Sequence, residues 1–341
     1  MTEHWRAALN KFLIPICLAA ILFCGECVAG GVVGFLMPSS GLGDQSFNDM
    51  TYAGLVRARN DFKFELIREK AYDNTEESRV ASLEKLLRRG ATVVVANGWE
   101  YRTVIRESSL KNPQVKYILN DMPVKAGKNL VSTVYGQHEG AFLAGALAGW
   151  MTRSGKVGFI GGEKMPVIQA FLKGYEEGAL HGKGDVDLSA RFLGDSDDPR
   201  SGFDNPALAY QKAKEMYENG GDIIFTVAGR SGNGVIRAAT EEKQFVSGVD
   251  ADQDHMARGY VLTSVMKRLD HTTYMELAAI MAGEFKPGIH HYGLREGGVA
   301  LSPMKYTRDI IGPAIMGRLR ELEGSIIEGK IVVTDLLAAD R

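Results

Sequence analysis

Residues 155–162 read Gly-Lys-Val-Gly-Phe-Ile-Gly-Gly, and residues 31–36 read Gly-Val-Val-Gly-Phe-Leu. Each is a short, glycine-containing apolar run, with the length and composition of a strand buried on both faces. The second run restarts the pattern of the first. Asp222–Val227 echoes Thr92–Asn97, and Phe245-Val-Ser-Gly-Val-Asp250 echoes Val115-Lys-Tyr-Ile-Leu-Asn-Asp121, in the same order and about 124 to 130 residues further on. Three echoes in order predict two related α/β lobes.

The intervening segments read as helices and further strands. A helix pattern covers 47–59. Another, Glu76–Arg89, puts Val80, Leu83, Leu86 and Leu87 on one face and stops at Gly90. Phe64–Lys70 and Leu130–Tyr135 are additional strands. Apolar strands alternating with helices predict parallel sheets covered on both faces. The fold class is therefore α/β, with no long linker between the lobes.

Composition agrees with a folded, uncharged-on-balance protein. Of 341 residues, 45% are hydrophobic and 24% charged, which excludes a disordered or fibrous chain. Net charge is −2 and no basic run occurs, so there is no electrostatic footprint for nucleic acid.

Residues 1–29 read as a targeting segment. Arg6 and Lys11 precede an apolar run from Phe12 to Cys24, shorter than the roughly 20 residues of a membrane span. This is the pattern of a secretory signal peptide, and Cys27-Val28-Ala29 predicts cleavage after Ala29. An uncleaved anchor and a lipoprotein at Cys24 or Cys27 are the alternatives; Phe23 and Glu26 fit a lipid-attachment motif poorly. All three cysteines, Cys17, Cys24 and Cys27, fall here, so the rest of the chain needs neither disulfides nor a thiolate metal site. A periplasmic location is expected.

In open α/β sheets, ligands bind outside the carboxyl ends of the strands. Two facing lobes would form a cleft between those ends. In 41–49, Asp44 or Ser46 can cap the following helix, and Ser46 with Asp49 resembles a capping box. Phe47 follows directly and is either core or an aromatic plate for a flat ligand. Asp121 and Asp250 end strands with carboxylates able to accept hydrogen bonds from vicinal hydroxyls, or to cap turns. Phe171, taken alone, reads as core. Gly229–Gly234 is a Gly-rich turn that could hold a polar ligand edge. Lys267 ends a strand; by itself it reads as a solvated lysine, and near carboxylates it could balance their charge. Catalytic motifs are missing: the sequence has no HExxH, Gly-x-Ser-x-Gly or P-loop pattern. No enzyme activity, metal or cofactor is expected.

Seven stretches resemble the basic membrane protein (PnrA-like) family of ABC transporter substrate-binding proteins: GDQSFND (43–49), EGAFLAGALAG (139–149), KVGFIGG (156–162), FLKGYEEGA (171–179), AGRSGNGVIRAA (228–239), GVDADQ (248–253) and VLTSVMK (261–267). The resemblance implies a type I periplasmic-binding fold of two Rossmann-like lobes joined by a hinge. Lobe 1 is expected to span 30–136 plus about 268–290, and lobe 2 137–267 plus about 291–341. It further implies a nucleoside, most often a purine, held between Phe47 and Phe171. Asp121, Asp250 and Lys267 would hold the ribose. Asn48, Gly229, Gly232 and Asp252 would line the pocket. The implied partner is a membrane permease of an ABC importer, with the binding protein a monomer. A sensory receptor of the same fold, or a binder of another heterocycle such as a flavin, are the alternatives. One departure stands out. Many nucleoside-binding members carry Asp nine residues before the stacking Phe, where this chain has Pro38. Ser39 or Ser40 could substitute, and Trp99 could enlarge an aromatic pocket.

Overall fold

The computed structural model describes residues 31–125, 127–195 and 202–338. The targeting segment and its three cysteines lie outside the described residues. Among the described residues, no helix is long and apolar enough to cross a membrane.

The chain first builds β1 (Val32–Met37), α1 (Phe47–Phe62), β2 (Glu65–Lys70), α2 (Glu76–Arg88), β3 (Ala91–Asn97), α3 (Arg102–Lys111), β4 (Lys116–Asn120) and β5 (Leu130–Tyr135). It then repeats the plan with α4 (Gln137–Met151), β6 (Lys156–Gly161), α5 (Pro166–Gly182), β7 (Asp187–Phe192), α6 (Pro206–Glu218), β8 (Ile223–Val227), α7 (Gly232–Glu241), β9 (Phe245–Asp250) and β10 (Val261–Lys267). The last part holds α8 (Leu269–Met281), β11 (Gly288–Tyr292), β12 (Val299–Leu301), α9 (Arg308–Ile311) and α10 (Pro313–Ile327).

Two six-stranded sheets result, ordered β2-β1-β3-β4-β5-β11 and β7-β6-β8-β9-β10-β12. The orders superimpose strand for strand, as the sequence echoes predict. They differ at one edge: β11 runs parallel to β5, whereas β12 runs antiparallel to β10.

Alternation along the strands separates the core layers. Val33, Phe35 and Met37 of β1 pack with Leu55 and Ala58 of α1 on one face. Leu36 joins Leu83 and Leu86 of α2 on the other. Val80 departs from its expected place: it is 38% exposed, and the helix buries Ser78 and Ser82 instead. Ser78 and Ser82 are accommodated because their hydroxyls bond to main chain: Ser78 accepts from Tyr72 N, and Ser82 donates to Lys70 O.

In the second sheet, α4 is buried almost all round and lies against α5. The approach is so close that a Cβ on Gly178 would stand 2.0 Å from the carbonyl oxygen of Phe142. Only glycine allows that contact.

The polypeptide passes between the sheets three times. It leaves β5 for α4, leaves β10 for α8, which packs on α1, and leaves β11 for β12.

Candidate functional site

In each sheet the strand order reverses next to the first strand, between β1 and β3 and between β6 and β8. The chain leaves these neighbours toward opposite edges, so a crevice opens outside their carboxyl ends. The two crevices face one another across a cavity of about 720 Å³, open mouth included. One wall is formed by Pro38, Ser40, Gly98, Trp99 and Glu100, the other by Met165, Ile168, Phe203, Val227 and Gly229.

The loop before α1 is pinned by Asp44. Its carboxylate accepts the main-chain N–H groups of Ser46 (3.0 Å), Asn48 (2.8 Å) and Asp49 (3.1 Å). Asp49 returns the favour, accepting from Gly43 N and Gln45 N. Asp44 is therefore the helix cap, and Ser46 makes no side-chain cap bond. Burial lifts the Asp44 carboxyl above its ordinary range. This arrangement sets Phe47 at the first turn, half-buried and lining the cavity.

Asn48 also lines the cavity, at 2% exposure. Its amide donates to Gly41 O at 3.0 Å and its carbonyl accepts from Asn97 at 3.1 Å. Asn97 in turn accepts from Asn120, whose carbonyl accepts from Thr133. A chain of buried amides and hydroxyls thus runs beneath the cleft across the ends of β3, β4 and β5. Such networks are rigid when every member is satisfied.

Asp121 and Asp250 occupy matching places, immediately after β4 and at the end of β9. Both adopt left-handed backbone, with φ 66° and 63°. That conformation costs roughly 1–2 kcal/mol for a side chain larger than glycine, and such outliers gather at ligand clamps. Lys267, at the end of β10, is 2% exposed, which corrects its reading as a solvated lysine. The physical reason is local compensation: its ammonium bonds Asp121 Oδ2 at 2.6 Å and stands 5.7, 5.4 and 5.1 Å from the ring centres of Phe47, Tyr135 and Phe171. Burial raises the Asp121 carboxyl despite this lysine, and pushes Asp250 up to about 6.

Several bonds join the two walls. The Ser46 hydroxyl donates to Asp250 Oδ2 at 2.5 Å. Gln253 Nε2 donates to Gln45 O at 3.0 Å. Arg230, one residue past Gly229, donates to Ser40 O and Leu42 O and pairs with Asp204 at 3.2 Å. The lobes are thus closed on each other.

Phe171 lines the second wall but is 1% exposed, packed edge-on against Phe225 at 6.0 Å. Phe203 is half-buried and lies over Gly162, where a Cβ would meet its ring at 2.4 Å. Gly229 (φ 52°) lines the cavity beside Phe203. Gly232 and Asp252 lie outside the cavity lining. Gly232 opens α7 against Thr226, and Asp252 accepts from Asp254 N to hold a short turn. Of the two serines after β1, Ser40 lines the cavity, whereas Ser39 donates to Asn74.

Sequence reasoning passed over Phe203, Glu100 and Arg230 as individuals. Glu100 and Arg230 sit at strand ends and were within reach of the strand-end rule. Phe203 follows β7, a half-exposed edge strand without an apolar run, so no strand end pointed to it.

Comparison with known proteins agrees with this architecture. Residues 32–336 match the family model described as ABC transporter substrate-binding protein PnrA-like. The chain is 31% identical over 342 residues to basic membrane protein A of Borreliella burgdorferi, covering 95% of this chain and 96% of that one. Among solved structures, an ABC transporter solute-binding protein of Aeropyrum pernix superimposes with a TM-score of 0.81 at 23% identity, over 89% of this chain and 93% of that one. One from Conexibacter woesei does so with a TM-score of 0.72 at 19% identity, over 90% and 99%. The fold is that of type I periplasmic-binding proteins. The chain belongs to the PnrA-like family of ABC transporter substrate-binding proteins, a family of binding proteins and not of enzymes.

Proposed function

We propose that this substrate-binding protein carries a nucleoside with a purine base in the cleft between its lobes and delivers it to the permease of an ABC importer. The reading rests above all on one observation: the face of Phe47 stands beside a buried Lys267 flanked by two left-handed aspartates. A flat apolar plate next to a charge-balanced set of acceptors matches a base joined to a hydroxyl-rich sugar.

In this reading Phe47 stacks on one face of the base. Phe203, the half-exposed ring of the opposite wall, supplies the second plate, and Phe171 backs the site from the core. Stacking is worth roughly 1–3 kcal/mol per base in nucleic-acid sites. Asp121 and Asp250 accept from the ribose hydroxyls, and Lys267 neutralises them while donating to the sugar. Ser46, Gln253 and Arg230 hold the lobes shut, excluding water and strengthening each polar contact. The protein acts as an exported monomer, with residues 1–29 as its signal peptide and with lobes divided as expected from the sequence.

The test is mass spectrometry of small molecules released on denaturing the purified protein, followed by calorimetry with what is found. A purine nucleoside, recovered intact and rebinding, supports the reading. A flavin or another heterocycle overturns the ligand assignment. Undiminished nucleoside uptake after deletion of the gene, with loss of a ligand-dependent response, overturns the transport role in favour of sensing.

A further inference from the structure

The inference rests on the nucleoside reading and deepens it. Glu100 lines the cavity three residues beyond the end of β3 and is half-buried. Its side chain folds back over Gly98: a Cβ added there would meet Glu100 Oε2 at 2.5 Å and the ring of Phe47 at 3.9 Å. Gly98 has φ 93°, so glycine is needed at this point for the turn. The carboxyl consequently stands at the rim of the Phe47 plate, where the edge of a stacked ring arrives.

The other carboxylates of the cavity already hold a group of this chain, Asp121 and Asp250 with capacity left for the sugar. Asp44 takes three main-chain N–H groups, Asp121 takes Lys267, and Asp250 takes Ser46. For Glu100 the opposing influence close at hand is its own main-chain N–H, which favours the charged form without taking a side-chain partner. That leaves acceptor capacity directed at the cavity.

We propose that Glu100 reads the edge of the base stacked on Phe47, and that its own proton decides which edge fits. A neutral carboxyl offers one donor and one acceptor. It pairs through both oxygens with adenine (an amino donor beside a ring-nitrogen acceptor) or hypoxanthine (a ring N–H beside a carbonyl). A carboxylate offers two acceptors and pairs with the two neighbouring N–H donors of guanine.

The surroundings keep both forms accessible. Burial lifts the Glu100 carboxyl from 4.5 to about 7. Arg79 of α2 opposes the rise, while Glu163 across the cleft and Asp121 after β4 add to it. The remaining charged groups around the cavity are Asp44, Lys267, Asp250 and Arg230.

The experiment is calorimetric titration of the ligand-stripped full chain with adenosine, inosine and guanosine between pH 5.5 and 8.5. For the wild type, adenosine and inosine are expected to weaken about tenfold or more as pH rises through 7, since each unit beyond the midpoint changes the proton occupancy tenfold. Guanosine is expected to strengthen over the same range. Glu100→Gln carries one donor and one acceptor at every pH. It should hold adenosine and inosine near the wild type's low-pH affinity and lose guanosine. Because Asp250 also titrates near 6, the readout is the difference between wild type and variant. A Glu100→Gln profile that follows the wild type for all three ligands overturns the inference and leaves the nucleoside reading intact. Wild-type binding that is strong but flat with pH does the same. Failure of the wild type to bind any of the three overturns the nucleoside reading, and this inference with it.

Discussion

Lys267 of one sheet and Asp121 of the other form an ion pair of 2.6 Å that spans the cleft, with the lysine side chain 3% exposed and the aspartate 14%. Both groups surrender most of their hydration, so each depends on its partner. Removing one charge from a buried pair typically costs about 3–5 kcal/mol, whereas replacing both can be nearly neutral. Lys267→Met is therefore expected to lower stability by about that amount, with Asp121→Asn lowering it less. The double variant should be more stable than the sum of the two losses predicts. Denaturant unfolding of all four proteins measures the coupling. Strict additivity would mean that the pair contributes nothing as a pair.

The aromatic walls separate stacking from packing. Phe47→Ala and Phe203→Ala should each weaken nucleoside binding by about 1–3 kcal/mol, roughly 5- to 150-fold, with little change in Tm. Phe171→Ala opens a cavity in the core and should instead cost about 3–5 kcal/mol of stability. Calorimetry and thermal unfolding on the three variants distinguish these roles. A large stability loss with unchanged affinity for Phe203→Ala would remove it from the site.

Raised carboxyls in the cleft, Asp250 and Glu100 among them, make the ligand-free protein sensitive to pH. Asp250 is raised from 3.8 to about 6 and Glu100 from 4.5 to about 7. The folded state therefore binds these protons more tightly than the unfolded chain. The resulting stabilisation is complete below about pH 4 and is lost as pH rises through 6 and 7. Glu100→Gln removes one such group. It should match the wild type near pH 4 and exceed it by about 1–3 kcal/mol at pH 8. Equal stability of the two proteins at pH 8 would count against a strongly raised carboxyl.

The α4–α5 contact tolerates nothing larger than glycine. Gly178→Ala brings a methyl group to 2.0 Å from the carbonyl oxygen of Phe142, main chain that cannot swing aside. Overpacking of this kind costs about 1–3 kcal/mol and occasionally more. Thermal unfolding should register the loss, while nucleoside affinity in the surviving folded fraction stays unchanged because the contact lies away from the cavity.

How much could be read from sequence depended on burial. The central strands β1, β3, β4, β6, β8 and β9 are apolar on both faces and announce themselves as continuous runs. β7, with the half-exposed sequence Asp-Leu-Ser-Ala-Arg-Phe, and β11, with paired histidines, carry no such pattern. They became strands by pairing with β6 and β5, a tertiary effect that local sequence does not encode. The site shows the same division. Phe47, Asn48, Asp121, Phe171, Gly229, Asp250 and Lys267 line the cavity, and strand ends pointed to most of them. Phe203 arrives from a loop after an unrecognised strand. The burial of Lys267 depends on Asp121, 146 residues away. The capping role of Asp44 was open between two neighbours, because spacing alone cannot say which side chain turns inward.

The three passages between the sheets also bear on the order in which the protein can assemble on leaving the ribosome. The first sheet is finished by β11, residues 288–292, which arrives only after every parallel strand of the second sheet has been made. Until then β5 presents an unpaired edge, and α1 waits for its covering helix α8 until residue 281. The half of the molecule that is synthesised first is thus completed late, and no N-terminal fragment short of residue 292 holds both of its missing pieces. A nascent chain built on this plan carries its first sheet one strand short for most of its synthesis.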